Sequence, residues 1–313
     1  MGDGGPVLTG DERRLRDSGA CPDSQAGAPG DRRMSSRPTA APARTVIRPP
    51  ARWPTLGLHE LWRYRSICMV LVRRSLMVRY RQTVVGATWA MLQPLLLMVV
   101  FTIFFGALVN VKSEGIPYAV FVMIGLTIWQ VVGKVLNEAS LSVVANGGLV
   151  NRIYFPRAYF PIASALGSLV DLAFGLLALA VLLIIFQIVP GWLIVFLPLL
   201  IIIALAAVTG VSFWLSALNV TYRDVAQLLP FLTQLWMFTS PIIYAGSIIP
   251  AQFRPLYWLN PMAITVDGLR WAVAGTAAPP IEEWIEGIVV AGVLLCTGYI
   301  FFLQREPGFS DTV

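Results

Sequence analysis

Residues 63–93 read RYRSICMVLVRRSLMVRYRQTVVGATWAMLQ, a strongly basic amphipathic segment that runs directly into a long uncharged one. A helix with arginines along one side lies on a membrane surface, and an uncharged stretch behind it leaves water for the bilayer core. The junction predicts a multi-span membrane protein whose N-terminal arginines stay on the cytoplasmic side.

Composition supports that reading. Hydrophobic residues make up 57% of the 313, charged residues 13%, and the mean hydropathy is +0.71. A water-soluble domain of this length has too little polar surface to cover such a chain. The net charge is +6, but the stretch from Arg13 to Arg81 supplies 15 of the 23 Lys and Arg residues. Basic residues stacked before the first span are a topology signal, so no nucleic-acid partner is expected. The chain has one histidine, His59, and three scattered cysteines, Cys21, Cys68 and Cys296. These argue against His-based catalysis, a metal site or a disulfide. Residues 1–52 lack any hydrophobic period and are read as a disordered cytoplasmic tail, leaving 53–313 as the membrane domain.

A helix needs roughly 20 apolar residues to cross a hydrocarbon core of about 30 Å. Gly86 to Val109 is the first such segment, and Pro117 to Gly133 is the second, ending at an interfacial Lys134 expected to pair with Glu138. From Leu172 to Tyr222 there is no charge, and Val189-Pro190-Gly191-Trp192 splits that run into spans three and four. Span five is placed at about Val225 to Tyr244 and span six at about Gly287 to Leu303. The fold class is therefore all-α integral membrane, with six transmembrane helices. Counted in that topology, 19 Lys and Arg residues lie inside and 3 outside, so both termini are expected in the cytoplasm.

Residues 245–286 are apolar but broken by Pro250, Pro255 and Pro261, and they carry Asp267 and Arg270 at i,i+3 spacing. Two short helices that dip into the outer half of the membrane and return satisfy both the apolarity and the even number of crossings.

Several groups of residues are candidates for function. The segment 146–157 contains Asn151, Arg152, Ile153, Tyr154, Phe155 and Arg157 between two spans. It reads either as a short helix docking into a groove on a cytoplasmic subunit or as an ordinary basic loop. A second cytoplasmic loop holds Tyr222, Arg223 and Asp224. In span three Ala163, Gly167, Asp171 and Gly175 recur every four residues, so small side chains and one carboxylate share a face. Asp171 belongs either to a buried interhelical hydrogen bond or to a translocation path. Along the basic helix, apolar Leu61, Ile67, Leu71, Leu76 and Val78 oppose Arg63, Arg65, Arg73, Arg74, Arg79 and Arg81. Such arginines anchor the helix at the surface or recognise the diphosphate of a lipid-linked substrate. Trp89, Trp129, Trp192, Trp236, Trp258 and Trp271 are read mostly as interface anchors, a few of them suited to a sugar passage. Glu282, Glu283 and Glu286 read as the solvated start of the last helix. The nearest approach to a phosphate loop, GALVNVKS at 106–113, has Val111 where a second glycine is needed. No cofactor is expected on this chain; ATP, if used, binds elsewhere.

Four stretches carry a family resemblance: residues 61–94, NRIYFPR at 151–157, ALNVTYRDVAQLLPFLTQLWMFTSPIIY at 217–244 and LNPMAITVDGLRW at 259–271. In this order they resemble the permease subunits of polysaccharide ABC exporters, the ABC-2 group handling O-antigen, teichoic acid and capsule. They look most like the branch exporting an actinobacterial galactan precursor. Members often carry an acidic residue where Ser75 stands and a lysine where Met77 stands. The resemblance implies a homodimer joined by two copies of a separate ATPase that holds the ATP and Mg. It implies an interface helix at 57–81, a coupling helix at 146–157, and periplasmic re-entrant helices over 245–286 whose gate carries Asn260, Pro261, Asp267 and Arg270. The implied cargo is a polyprenyl-diphosphate-linked glycan moved outward across the cell membrane. A glycan-transferring membrane enzyme and an exporter of drugs or small lipids are the alternatives.

Overall fold

The computed structural model describes residues 62–81, 88–150 and 155–309; the side chains of Tyr80, Arg81, Thr88 and Val150 are not among those described. The tail read as disordered, residues 1–52, lies outside these segments, as do Asn151, Arg152, Ile153 and Tyr154.

Helix α1 spans Arg65–Arg81. After it come α2, Thr88–Phe101, continued as a π-helical turn over Thr102–Leu108, and α3, Tyr118–Ala145. A short α4, Gly147–Val150, precedes α5, Tyr159–Ile185, and α6, Leu197–Thr221. Then follow α7, Val225–Thr239, a five-residue α8, Arg254–Trp258, α9, Pro261–Ala274, and α10, Ile281–Arg305. The described residues contain no strand.

Five helical stretches among the described residues are long and apolar enough to cross a membrane: Trp89–Leu108, Tyr118–Ala145, Tyr159–Ile185, Trp192–Thr221 and Ile281–Gly308. The segment expected as span five forms only the 15-residue α7, with Pro230 inside it, and leaves helical geometry at Ser240. Span two is longer than expected. No helix breaker occurs before Asn146-Gly147, and Lys134, Asn137 and Glu138 find partners on other helices, so α3 runs on to Ala145.

Helix α3 is the axis of the bundle. Its Val120, Phe121, Val122, Met123, Leu126, Val132 and Val135 are fully buried, and α2, α5, α6, α7 and α9 all pack against it. The small strip on α5 works as its spacing predicts: a Cβ on Gly167 would lie 3.3 Å from Ser75 Oγ of α1, and one on Gly175 would lie 3.2 Å from Thr127 of α3. With little driving force from water, close backbone approach through small residues is what holds such helices together.

The packed face of α1 differs from expectation. Cys68 and Leu71 are buried, with Ile67, Val72, Ser75 and Arg79 partly covered, whereas Val78 is 67% exposed. Arg79 turns inward in place of Val78 because its guanidinium finds carboxylates on α3 and α5.

Helix α9 has the start and stop signals of an isolated helix. Asn260 accepts the Met262 N–H at 3.1 Å as N-cap, Pro261 opens the first turn, and Gly275 closes the end at φ 70°. It is nonetheless buried almost all round, as an element fitted into the bundle must be.

Helices α6 and α10 cross closely at Gly210 and Gly298, where a Cβ on Gly298 would collide with the Gly210 carbonyl. Gly298→Ala is therefore expected to destabilise the purified protein by about 1–3 kcal/mol. Gly292→Ala, whose Cβ meets open space, should leave the melting temperature unchanged or slightly raised; equal melting of the two variants would contradict this packing.

Candidate functional site

Helices α1, α2, α3, α5 and α7 enclose an open cleft of about 870 Å³. Its charged lining is Arg79, Lys134, Glu138 and Asp171, one or two from each of three helices. Arg79 Nη1 donates to Asp171 Oδ2 at 2.6 Å while its Nη2 donates to Glu138 Oε2. Lys134 Nζ lies 2.8 Å from the same Asp171 oxygen. Ionised groups among apolar helices survive only when paired, and here two cations meet two anions. Asp171, 9% exposed, is the hub, so it is an interhelical link and also lines the cleft. The expected Lys134–Glu138 pair does not form: Lys134 turns to Asp171, and Glu138 is taken by Arg79. Two residues one turn apart on a helix surface are neighbours in water, but a buried carboxylate across the groove is a stronger attractor.

The remaining lining combines amides, hydroxyls and indoles: Gln93, Gln130, Asn137, Thr233, Trp89 and Trp129. Asn137 Nδ2 donates to Thr233 Oγ1 at 3.0 Å, tying α3 to α7. Trp129 is not the interface anchor expected of it; it is buried, edge-on to Trp236 at 6.2 Å. Such a wall offers hydrogen-bond donors, acceptors and ring faces together, which suits a hydroxyl-rich cargo better than a lipid tail.

A second polar centre lies at the other end of α3. Arg270 is 0% exposed. Its Nη1 donates to Asp267 Oδ1 at 3.0 Å, its Nη2 to the Ile242 carbonyl at 3.0 Å and its Nε to the Phe121 carbonyl at 3.4 Å. The guanidinium carbon sits 3.5 Å from the centre of the Phe121 ring. The other Asp267 oxygen accepts the Tyr257 hydroxyl at 2.7 Å. Burial, with the Asp267 carboxylate beside it, drives the Tyr257 phenol far above its ordinary range, so it remains a donor. Next to this centre Asn260 accepts from Trp236 Nε1 at 3.0 Å and donates to Ser240 Oγ at 3.0 Å, so α9 is clamped to the end of α7.

At the opposite end, Phe155 is buried edge-on to Phe160, 5.3 Å between centroids. The Arg157 backbone N–H donates to Glu306 Oε1 at 2.8 Å, and its guanidinium bonds the Glu306 carbonyl beside the Phe309 ring. Arg157 therefore fastens this loop to the end of α10. Tyr222, 61% exposed, and Arg223 and Asp224, also exposed, form an open surface between α6 and α7.

The sequence profile of the ABC-2 type transporter family matches residues 67–273. The chain belongs to that family. An O-antigen export system permease protein from Myxococcus xanthus is 26% identical over 258 residues, 82% of this chain and 98% of that protein. Another of the same name, from Klebsiella pneumoniae, is 26% identical over 248 residues, 79% of this chain and 94% of that one. The match covers both polar centres, so the four-charge cluster and the buried Arg270 are features of an ABC-2 membrane domain here.

Of the arginines singled out in this ABC-2 chain, Arg63, Arg65, Arg73 and Arg74 are exposed, Arg79 is turned inward, and the Arg81 side chain is outside the described set. Gly167, Asp171, Asn260, Pro261, Asp267 and Arg270 all sit at packed junctions. Sequence reasoning missed Tyr257, Asn137 and the Arg79 contacts, since Asn137 and Arg79 find partners distant in the chain and Tyr257 meets Asp267 across the turn between α8 and α9. Glu283 also corrects an expectation: it is buried, not part of a solvated helix start, because the helix turns that position toward Glu114, Gly246 and Tyr257.

Arg79→Ala and Asp171→Ala are expected to be non-additive, with a coupling of about 1–3 kcal/mol in chemical unfolding; additive losses would dissolve the link. Arg270→Lys keeps the charge but loses the fork over Phe121, and should cost about 2–4 kcal/mol by the same measurement.

Proposed function

We propose that this chain is the permease subunit of an ATP-driven exporter that moves a polyprenyl-diphosphate-linked polysaccharide outward across the inner membrane. The observation that carries the reading is the 870 Å³ cleft, lined by paired charges, amides and indoles within otherwise apolar helices. The near-full-length similarity to O-antigen export permeases supports the same cargo class. A galactan of the cell wall is the specific polymer favoured by the resemblance of the chain's motifs.

In this reading the permease is a homodimer, non-catalytic, and works with two copies of an ATPase that bind ATP and Mg. Helix α7 serves as a sixth span, extended by residues 240–244, so both termini lie in the cytoplasm. Residues 53–313 form the membrane domain. Residues 146–157 are the coupling helix, with Asn151, Arg152, Ile153 and Tyr154 facing the ATPase, Phe155 and Arg157 anchoring the segment to the bundle, and Tyr222, Arg223 and Asp224 beside it. Residues 57–81 are the interface helix; the exposed Arg63, Arg65, Arg73 and Arg74 face lipid headgroups and the diphosphate. Helices α8 and α9 are the re-entrant gate over 245–286, supported by a buried polar core that shields their backbone.

Depleting the protein should cause lipid-linked glycan to accumulate on the cytoplasmic face, measured by lipid extraction and glycan analysis. Substituting Arg152 and Tyr154 together should abolish co-purification of the ATPase without unfolding the permease. Normal glycan export in the depleted strain would refute the assignment.

A further inference from the structure

The outer loops close around a second, smaller cavity of about 200 Å³. Its floor is the Asp267–Tyr257 pair, left open by Gly246: a Cβ there would lie 2.6 Å from Asp267 Oδ2 and 2.7 Å from the Tyr257 hydroxyl. The walls include Glu114, whose Oε1 accepts the Ser247 hydroxyl at 3.1 Å, together with Arg254 and Trp258. Glu283, at the start of α10, completes the lining. It is 3% exposed, and among the described residues its Oε1 has no hydrogen-bond partner.

A carboxylate oxygen withdrawn from solvent without a donor is costly, so a native protein that keeps one has a use for the vacancy. A metal ion is a poor candidate. No group of three His, Cys, Asp or Glu residues among those described stands close enough to hold one. The volume is room for roughly six or seven waters at about 30 Å³ each, more than a bare ion needs. What the lining offers is acceptors from the carboxylates, donors from Arg254, and aromatic planes from Tyr257 and Trp258. A ring bearing several hydroxyls matches all three at once.

We propose that this cavity is a sugar-binding subsite at the outer mouth, where Glu283 accepts a hydroxyl hydrogen from one ring of the emerging glycan. Arg254 donates to oxygens of the same ring, and Trp258 supplies a stacking face. The proposal rests on the reading of a glycan cargo and adds a place where that cargo is held after crossing. A weak subsite there would hinder the chain from sliding back while the ATPase resets.

The test uses the full-length protein in nanodiscs and saturation-transfer NMR with D-galactose, D-glucose and L-rhamnose as probes at millimolar concentration, with glycerol as the control polyol. Ring protons of at least one sugar should receive saturation, and glycerol should not. Glu283→Gln, of the same shape, should weaken binding by about tenfold, because its amide can turn an N–H₂ toward the ring where the carboxyl offers an acceptor. Glu283→Ala should abolish it. If Glu283→Ala fails to assemble, Trp258→Ala carries the comparison, since it removes only the stacking face. No transfer to any sugar, equal transfer in the wild type and the Glu283 variants, or displacement of the sugar by calcium chloride would each overturn the subsite. Failure here with glycan still accumulating on depletion sinks the subsite alone. Transfer without accumulation keeps a sugar site and removes the export reading.

Discussion

A guanidinium with no exposed surface organises the end of this bundle at the start of α3. Arg270 reaches its own helix through Asp267, the chain after α7 through the Ile242 carbonyl, and α3 through the Phe121 ring and carbonyl. A charge buried so completely is tolerable only because each of its three nitrogens has an acceptor and the ring face covers one side. The geometry leaves little freedom: moving α9 strands the cation, and moving the segment around Ile242 strands the same cation from the other direction. Tyr257 and Asn260 extend the constraint to α8 and to the end of α7. The irregular stretch between α7 and α10 is thus held by polar contacts, where the long helices are held by apolar packing and small residues.

The opposite polar centre has a different character. Arg79, Lys134, Glu138 and Asp171 are also paired, but they line an open cleft and Glu138 is partly solvent-facing. Ion pairs beside open water are more exchangeable than enclosed ones, since water can stand in for a partner and an incoming anionic group can take the place of a carboxylate. The Asp267–Arg270 pair is enclosed and stiff; the cleft pairs can rearrange. Helix α3 carries both, with Phe121 and Glu138 separated by 17 residues, about 25 Å along one rod. Because Arg79 belongs to α1, the basic helix is attached to the same rod through charge rather than through a broad apolar seam.

Much of the architecture was legible in the residues. The long apolar runs, the breaks at Asn146-Gly147 and Pro190-Gly191, and the Asn260-Pro261 start with the Gly275 stop of α9 are all local signals, and the helices follow them. The four-residue strip of small side chains on α5 predicted close packing and found it at Ser75 and Thr127. The i,i+3 spacing of Asp267 and Arg270 anticipated their ion pair. Less was legible wherever a polar side chain had a choice. Lys134 left its nearest neighbour Glu138 for Asp171, Arg79 displaced Val78 from the packed face, and Glu283 turned inward from an apparently solvated triplet.

Residence in the membrane and most of the helix ends came from the sequence alone, because hydrophobic length, helix period and capping chemistry act over neighbouring residues; of the six spans expected, five form long apolar helices among the described residues. Apart from the Asp267–Arg270 pair, the pairing of the polar groups was decided only by the tertiary structure. In a medium without water each such group must find its partner on another part of the chain, and the distances involved, 92 residues from Arg79 to Asp171 and 149 from Phe121 to Arg270, leave no trace in local pattern.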